Sequence, residues 1–204
     1  GEALRVLVLA TRTVASLDES QFETRLCFIG MAGMIDPPKE GVKEAIALAH
    51  KAGIDVVMIT GDHPETALAI GRQLGIAQSL AQVLTSVQMQ DLSDDQLAQA
   101  CQHIRIVARA TPQDKVRIVK AYRLDEKIVA MTGDGVNDAP SLKQADVGIA
   151  MGSGTEVSRQ TSDLILTDDN FATIISAVEE GRNIYLNIQK AVLYLLSCNL
   201  GEIT

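Results

Sequence analysis

The sequence predicts an α/β fold, in which a parallel β-sheet is covered by helices on both faces and a long C-terminal helix follows. Short runs rich in β-branched and apolar residues alternate with segments of helical periodicity in the middle of the chain. The last part of the chain keeps helical periodicity alone. The 204 residues, of which 47% are hydrophobic and 22% charged, are enough for one domain with its own core.

Four strand-and-helix units are predicted along the middle of the chain. The first unit has an apolar strand at 54–60 and a helix at 64–75, with proline at its first position and glycine just past its end. The other units combine a strand and a helix at 104–109 and 112–124, at 127–132 and 138–145, and at 147–151 and 155–160. A Ser-x-x-Gln capping box beginning at Ser93 predicts a further helix within 80–100.

The two ends of the chain depart from this alternation. Residues 1–35 hold two apolar runs around a polar stretch and are interpreted as the tail of another unit, joined through two prolines. Residues 171–204 have helical periodicity and become apolar after Lys190. The final apolar run is shorter than the roughly 20 residues of a membrane span. It is therefore either a buried helix or the start of a span that the chain does not complete, and we favour the second interpretation.

Composition excludes some classes of function. A net charge of -8 argues against a general affinity for nucleic acid or for anionic lipid. The three cysteines, Cys27, Cys101 and Cys198, are far apart in the sequence, so neither a disulfide framework nor a zinc site is indicated. A reducing compartment fits this cysteine usage best.

Polar residues follow three of the predicted strands, at the point where each strand ends. They are Thr60, Gly61 and Asp62 after the first strand, Lys115 after the second, and Asp134, Asn137 and Asp138 after the third. Because the carboxyl ends of parallel strands gather at one edge of a sheet, we expect these groups to lie close together. Hydroxyl, amide, ammonium and carboxylate groups together suit a phosphate with Mg²⁺.

The stretch MTGDGVNDAP at 131–140 crowds two carboxylates, Asp134 and Asp138, into one loop. Two such charges about 4 Å apart repel by about 4 kcal/mol at an effective dielectric constant near 20. A positive group must offset this repulsion, or one carboxyl must hold a proton. We expect a bound dication to neutralise the pair.

Four segments carry a resemblance to a known family: the leading DPPK, MITGDHPETALAIGRQLGI, ARATPQDKVRIV and MTGDGVNDAPSLKQADVGIAMGSGTEVSRQTSDLILTDDNF. They resemble the phosphorylation domain of P-type cation-transporting ATPases, within the haloacid dehalogenase superfamily. The resemblance implies a Rossmann-like sheet and an integral membrane pump, cytoplasmic from residue 1 to about residue 188, that binds ATP and Mg²⁺. It also implies that residues 1–35 end a nucleotide-binding domain, 36–170 form most of the phosphorylation domain, and 171–204 form a stalk and begin the fifth membrane helix.

The resemblance gives roles to residues of the phosphate site. Asp134 is implied to be the Mg²⁺ ligand, and Asn137 and Asp138 to shape the phosphate site. Lys115 is similar to the family's phosphate-contacting lysine, and Thr60 to its phosphate-binding threonine.

The resemblance also implies roles for residues outside the phosphate site. Arg5 and Arg109 match arginines that contact the nucleotide in the family. Asn199 and Glu202 are three residues apart, so they share a face of a continuous helix. They resemble the Asn-x-Gly-Glu pattern of Ca²⁺ pumps, which implies that they bind the transported cation, and oxygen ligands suit Ca²⁺. The alternative is that the helix leaves the membrane at Glu202.

The sequence departs from the family at one decisive point. The Asp-Lys-Thr-Gly-Thr motif, which holds the family's nucleophilic aspartate, does not occur in these 204 residues. We expect the motif to lie upstream in a longer protein, so that the chain alone is inactive. The alternatives are a soluble phosphatase of the same superfamily and a non-catalytic remnant of the fold.

Overall fold

The computed structural model describes residues 5–13, 24–34 and 37–203, with side chains described from residue 6 to residue 198 within those ranges. The described strands are β1 Arg5–Thr11, β2 Cys27–Met34, β3 Met58–Ile59, β4 Val83–Thr85, β5 Ile106–Ala108, β6 Ala130–Gly133, β7 Val147–Met151 and β8 Leu164–Leu166. The described helices are α1 Val42–Lys51, α2 Pro64–Leu74, α3 Ser86–Gln90, α4 Asp94–Cys101, α5 Pro112–Leu124, α6 Ala139–Gln144, α7 Glu156–Thr161 and α8 Phe171–Ile203.

The predicted helices form because their ends carry the capping groups that the sequence indicated. Gly75 ends α2 in the left-handed conformation, with φ of 78°, which a residue without Cβ adopts freely. The Ser93 hydroxyl accepts the Gln96 N–H at 3.2 Å, and the Gln96 side chain accepts the Ser93 N–H at 2.9 Å, so the predicted capping box begins α4.

The strands β3 to β8 are parallel, as predicted, but they form two sheets instead of one. One sheet has the order β3-β5-β4 and the other the order β6-β7-β8. The prediction of a single sheet is therefore wrong for the described residues, in which β3 and β6 are both edge strands. The two edges border the same apolar core, because Ile59 of β3 packs against a cluster that includes Met131 of β6.

Helices cover both faces of the first sheet. Ile106 and Val107 are neighbours on β5 and are both fully buried, so they face opposite sides of the sheet. Ile106 packs with residues of α1 and α2, and Val107 packs with residues of α4 and α5. This arrangement confirms the α/β architecture.

The β1–β2 hairpin stands apart from these sheets. Its strands pair antiparallel, with Arg5 opposite Met34 and Thr11 opposite Cys27. Its large apolar side chains are about half exposed or more, including Val6, Leu7, Val8, Leu9, Phe28, Ile29 and Met31. A two-stranded ribbon has no core of its own in water. The proposed boundary at residue 35 remains a prediction.

The helix α8 is continuous over 33 residues, about 50 Å. Its first turns pack on the domain, where Ile174 joins a buried cluster and the Arg182 guanidinium donates to the Ala52 carbonyl at 3.1 Å. Farther along, its large apolar side chains are exposed. Among the helices of residues 37–203, none has the combination of length and apolar content that crossing a membrane requires.

Candidate phosphate and magnesium site

Backbone hydrogen bonds hold the loops after β3 and β5 side by side. The Arg109 N–H donates to the Asp62 carbonyl at 3.1 Å, and the Ala110 N–H donates to the Thr60 carbonyl at 3.0 Å. Arg109 is exposed and adopts a left-handed backbone conformation, with φ of 55°. The sequence therefore placed these two loops correctly at one edge of the sheet.

Two donors of the Thr60 loop are bonded within the loop itself. The Thr60 hydroxyl donates to the Asp62 carboxylate at 3.0 Å and accepts the Asp62 N–H at 3.1 Å. The Asp62 amide, expected to face a phosphate, is therefore bonded within the loop. Gly61 between them is exposed.

Lys115 and Asp138 form the central ion pair of the site. The Lys115 ammonium lies 2.5 Å from one Asp138 carboxylate oxygen, and the two side chains are only 23% and 8% exposed. The other oxygen accepts the N–H groups of Gly135 and Asp134 at 3.1 and 3.2 Å. Burial acts to raise the pKa of Asp138, but the Lys115 hydrogen bond and these two amides outweigh it, so the pKa is lowered.

This ion pair corrects the expected role of the metal. Asp138 already has a cationic partner in Lys115, so a dication is not needed to neutralise it. Gly133 permits the close packing at this point, because a Cβ there would lie 2.5 Å from the Asp138 Cβ. The 23-residue separation of Lys115 and Asp138 gave no sequence signal for their pairing.

The start of α5 is anchored firmly, and this anchoring positions Lys115. The Asp114 carboxylate accepts bonds from the Ser86 hydroxyl at 2.6 Å and from the Thr111 N–H and hydroxyl at 2.8 Å. Burial acts to raise the pKa of Asp114, but these bonds outweigh it, and the pKa is lowered. One turn later Arg117 donates to the carbonyls of Met89 and Leu92.

Asp134 differs from Asp138 in its exposure and in the contacts of its carboxylate. Its side chain is exposed and forms no hydrogen bond or ion pair with any other described residue. Within the described residues, no group of three or more His, Cys, Asp and Glu side chains could hold a metal ion. Mg²⁺ commonly uses one or two carboxylates, several waters and substrate phosphate oxygens. An exposed carboxylate beside the Lys115–Asp138 pair therefore fits Mg²⁺.

The remaining predicted site residues lie outside this cluster or beyond the described side chains. Asn137 is exposed in the short turn before α6. Arg5 belongs to β1, and Asn199 and Glu202 belong to α8, but their side chains are not among those described. Sequence reasoning did not find the contacts that Thr155 and Ser158 make with the backbone of Asp134.

Comparison with known families agrees with this geometry. The sequence model of a family described as haloacid dehalogenase-like hydrolase matches residues 5–146, which is more than half of the chain. The chain belongs to the haloacid dehalogenase-like hydrolase family. A second model with that description matches residues 116–178.

Relatives of this haloacid dehalogenase-like chain include transport ATPases. The chain is 55% identical to "Calcium-transporting ATPase 1" of Bacillus cereus and 48% identical to "Calcium-transporting ATPase 1" of Lactococcus lactis. Each match covers 99% of this chain but only 23% of the relative. The resemblance to cation-transporting P-type ATPases is thereby confirmed.

One solved structure extends the comparison to three dimensions. A zinc-transporting PIB-type ATPase in its E2.Pi state is 26% identical to this chain, with a TM-score of 0.62. The match covers 92% of this chain and 28% of that protein. The described fold is therefore that of a segment found in a much longer transport ATPase.

Proposed function

We propose that this chain is the larger part of the phosphorylation domain of an ATP-driven cation pump, and that it supplies the Mg²⁺ and phosphate site of that pump. The observation that carries this proposal is the Lys115–Asp138 pair, which lies beside the exposed Asp134 carboxylate at the end of β6. Relatives that the chain matches over 99% of its length are named calcium-transporting ATPases, which supports the same conclusion.

Each group of the site has a defined part in phosphoryl transfer. A nucleophilic aspartate attacks the γ-phosphorus of ATP, a new O–P bond forms, the β–γ bridging bond breaks, and ADP leaves. Mg²⁺, when bound, offsets charge on the phosphate oxygens. Asp134 supplies a ligand for Mg²⁺, and Lys115 presents its ammonium to the transferring group. Asp138 holds Lys115, and Thr60 with Gly61 borders the phosphate.

The division of the sheet supports an upstream nucleophile. The N–H groups of Met58 and Thr60 donate to the carbonyls of Arg105, just before β5, and Val107, in β5, at 3.0 and 2.9 Å. The backbone groups of Ile59, between them, therefore point away from β5. β6 is also an edge strand that borders the same core. The strand that carries the nucleophilic aspartate is proposed to lie between these two edges and to join the two sheets.

The exposed apolar side chains in the second half of α8 favour a membrane pump over a free-standing phosphatase. Val192, Leu193, Tyr194, Leu195 and Leu196 are each about half exposed or more. A large exposed apolar patch indicates a surface that another molecule or a bilayer covers. The full-length protein is therefore proposed to be an integral membrane protein, with residues 1 to about 188 in the cytoplasm and the rest of this chain entering the bilayer. Arg5 and Arg109 are proposed to contact ATP.

The proposal predicts opposite results for the full-length protein and for this chain alone. Full-length protein incubated with Mg²⁺ and γ-phosphate-labelled ATP is expected to acquire an acid-stable label that hydroxylamine removes, as an acyl phosphate requires. The 204-residue chain is expected to remain unlabelled, because it lacks the Asp-Lys-Thr-Gly-Thr motif. A label on the purified chain would contradict the assignment of the nucleophile.

The same labelling assay tests the transported ion. Asn199 and Glu202 lie on α8, and an ionisable residue at membrane depth is costly unless it serves a pathway. We expect Ca²⁺ to stimulate labelling of the full-length protein and Glu202→Gln to abolish that stimulation while leaving nucleotide binding intact. Equal labelling with and without Ca²⁺ would exclude Ca²⁺ as the transported ion. Glu180→Gln, an exposed carboxylate earlier on α8, is the matched control.

A further inference from the structure

The backbone carbonyl of Asp134 is held by the segment that follows β7. The Thr155 N–H donates to this carbonyl at 2.8 Å, and the Ser158 hydroxyl lies 3.2 Å from it. Ser158 is fully buried, and its hydroxyl also lies 2.8 Å from the Thr155 carbonyl. A serine hydroxyl has one proton, so the two carbonyls share it, and the Thr155 amide is a second donor to the Asp134 carbonyl.

Glycine at position 154 allows this approach. A Cβ on Gly154 would lie 2.9 Å from the Asp134 carbonyl oxygen and 3.2 Å from the Asp134 Cα. Both are backbone atoms, which cannot swing aside as the end of a side chain can. Any larger residue at position 154 would therefore displace Asp134 or the start of α7.

The carboxylate of Asp134 depends on this backbone contact for its position. Its side chain has no hydrogen-bonding partner among the described residues, so its position depends on where the Asp134 backbone lies. The Asp134 N–H is bound by the Asp138 carboxylate at 3.2 Å, and its carbonyl is bound by Thr155 and Ser158. The peptide groups on both sides of the Asp134 Cα are thus fixed.

We propose that Gly154, Thr155 and Ser158 are positioning residues that hold the Asp134 carboxylate in place for Mg²⁺. This inference rests on the proposed function, in which Asp134 binds the metal. Groups behind a metal ligand set its orientation, and their loss weakens metal binding although they never touch the ion. A segment with no ligand of its own thereby controls the metal affinity of the phosphate site.

The test measures divalent-metal binding directly in the full-length protein. The concentration of free Mn²⁺ is measured by electron paramagnetic resonance in the absence of ATP. The relevant binding site is the one that is lost in the Asp134→Asn protein. Ser158→Ala is expected to weaken Mn²⁺ binding at that site about tenfold and to raise the Mg²⁺ concentration for half-maximal phosphorylation equally. Binding of a fluorescent ATP analogue is expected to stay unchanged, which a general loss of structure would not allow.

A matched serine directly after the same helix serves as the control. The Ser162 hydroxyl donates to the Arg159 carbonyl at 3.0 Å, at the far end of α7 from Asp134. Ser162→Ala also removes one hydroxyl bond to a backbone carbonyl, and we expect it to leave the Mn²⁺ affinity unchanged. Equal Mn²⁺ affinities for the Ser158→Ala and Ser162→Ala proteins would overturn the inference.

A pair of glycine variants gives an independent test if the serine variant folds poorly. A Cβ on Gly152 would lie 2.8 Å from the Leu166 carbonyl, so Gly152→Ala causes a comparable backbone clash that is directed at β8. We expect Gly154→Ala to weaken Mn²⁺ binding more than Gly152→Ala does, and equal effects would contradict the positioning role. An unmodified protein that fails to form an acyl phosphate would instead contradict the proposed function.

Discussion

Replacement of Asp134 by asparagine in the full-length protein is expected to slow phosphorylation from ATP by about 100- to 10,000-fold. The amide keeps the size of the carboxylate but loses the charge that binds Mg²⁺. A loss of about 3–5 kcal/mol of transition-state stabilisation corresponds to this range, since each 1.36 kcal/mol is about tenfold in rate. Initial rates of label incorporation at limiting and saturating Mg²⁺ measure the effect, which should be larger when Mg²⁺ is limiting.

Because Asp134 is exposed, its replacement should slow phosphorylation without changing the stability of the fold, so the two effects can be told apart. Its carboxylate has no partner among the described residues, and the backbone bonds of Asp134 survive the substitution. We therefore expect a change in unfolding free energy within about 0.5 kcal/mol, as for other exposed positions. The control is Asp91→Asn, which makes the same chemical change at an exposed position outside the loops of the candidate site. Near-normal phosphorylation at limiting Mg²⁺ would show that Asp134 does not bind the metal.

The helices were the most predictable part of this fold because their boundaries depend on local groups. Pro64, Ser93 and Gly75 act on the backbone within a few residues of themselves, so their positions in the sequence suffice. The short strands β4 and β8 were not predicted, since three residues are too few to show an alternating pattern. Their positions follow from pairing with β5 and β7, which are distant in sequence.

The division into two sheets could not be predicted from the periodicity of the chain. Periodicity shows that a strand is buried, but it does not show which strands are neighbours. The strand predicted at 54–60 is also shorter in the structure, where β3 is Met58–Ile59 and pairs in register with only two residues of β5. A strand paired on one side alone has fewer backbone bonds to extend it.

The residues of the candidate site could be proposed from the sequence, but their bonds could not be predicted. Loop position identified Lys115, Asp134 and Asp138, because parallel strands bring their carboxyl ends together. The partner of Asp138 could not be chosen this way, since a metal ion and Lys115 would each satisfy its charge. A contact to a backbone carbonyl, such as that from Ser158 to Asp134, cannot be predicted from residue type, because every residue has such a carbonyl.

Replacement of Lys115 by methionine is expected to reduce both stability and phosphorylation, in contrast to the Asp134 variant. Methionine keeps the length of the side chain but leaves the Asp138 carboxylate buried without its cation. Removing one partner of a fully buried pair costs about 3–5 kcal/mol. Because Lys115 is 23% exposed, we expect about 2–3 kcal/mol here. Urea unfolding of the 204-residue chain, followed by circular dichroism, measures the loss, with the exposed Lys120→Met on α5 as the control.

The pH dependence identifies the Asp138 charge as the cause of this loss. The pKa of Asp138 is lowered in the folded protein, so the pair stabilises the fold above the ordinary carboxyl pKa of 3.8, and this stabilisation disappears as the pH falls through the folded value. The difference in stability between the unmodified and Lys115→Met chains should therefore be greatest above about pH 5 and should shrink on acidification. Adding Asp138→Asn to Lys115→Met should recover part of the stability at neutral pH, since no unpaired charge remains, while phosphorylation by the full-length protein stays reduced. A stability deficit that is independent of pH and unaffected by Asp138→Asn would mean that Lys115 contributes through the packing of its stem instead of through its charge.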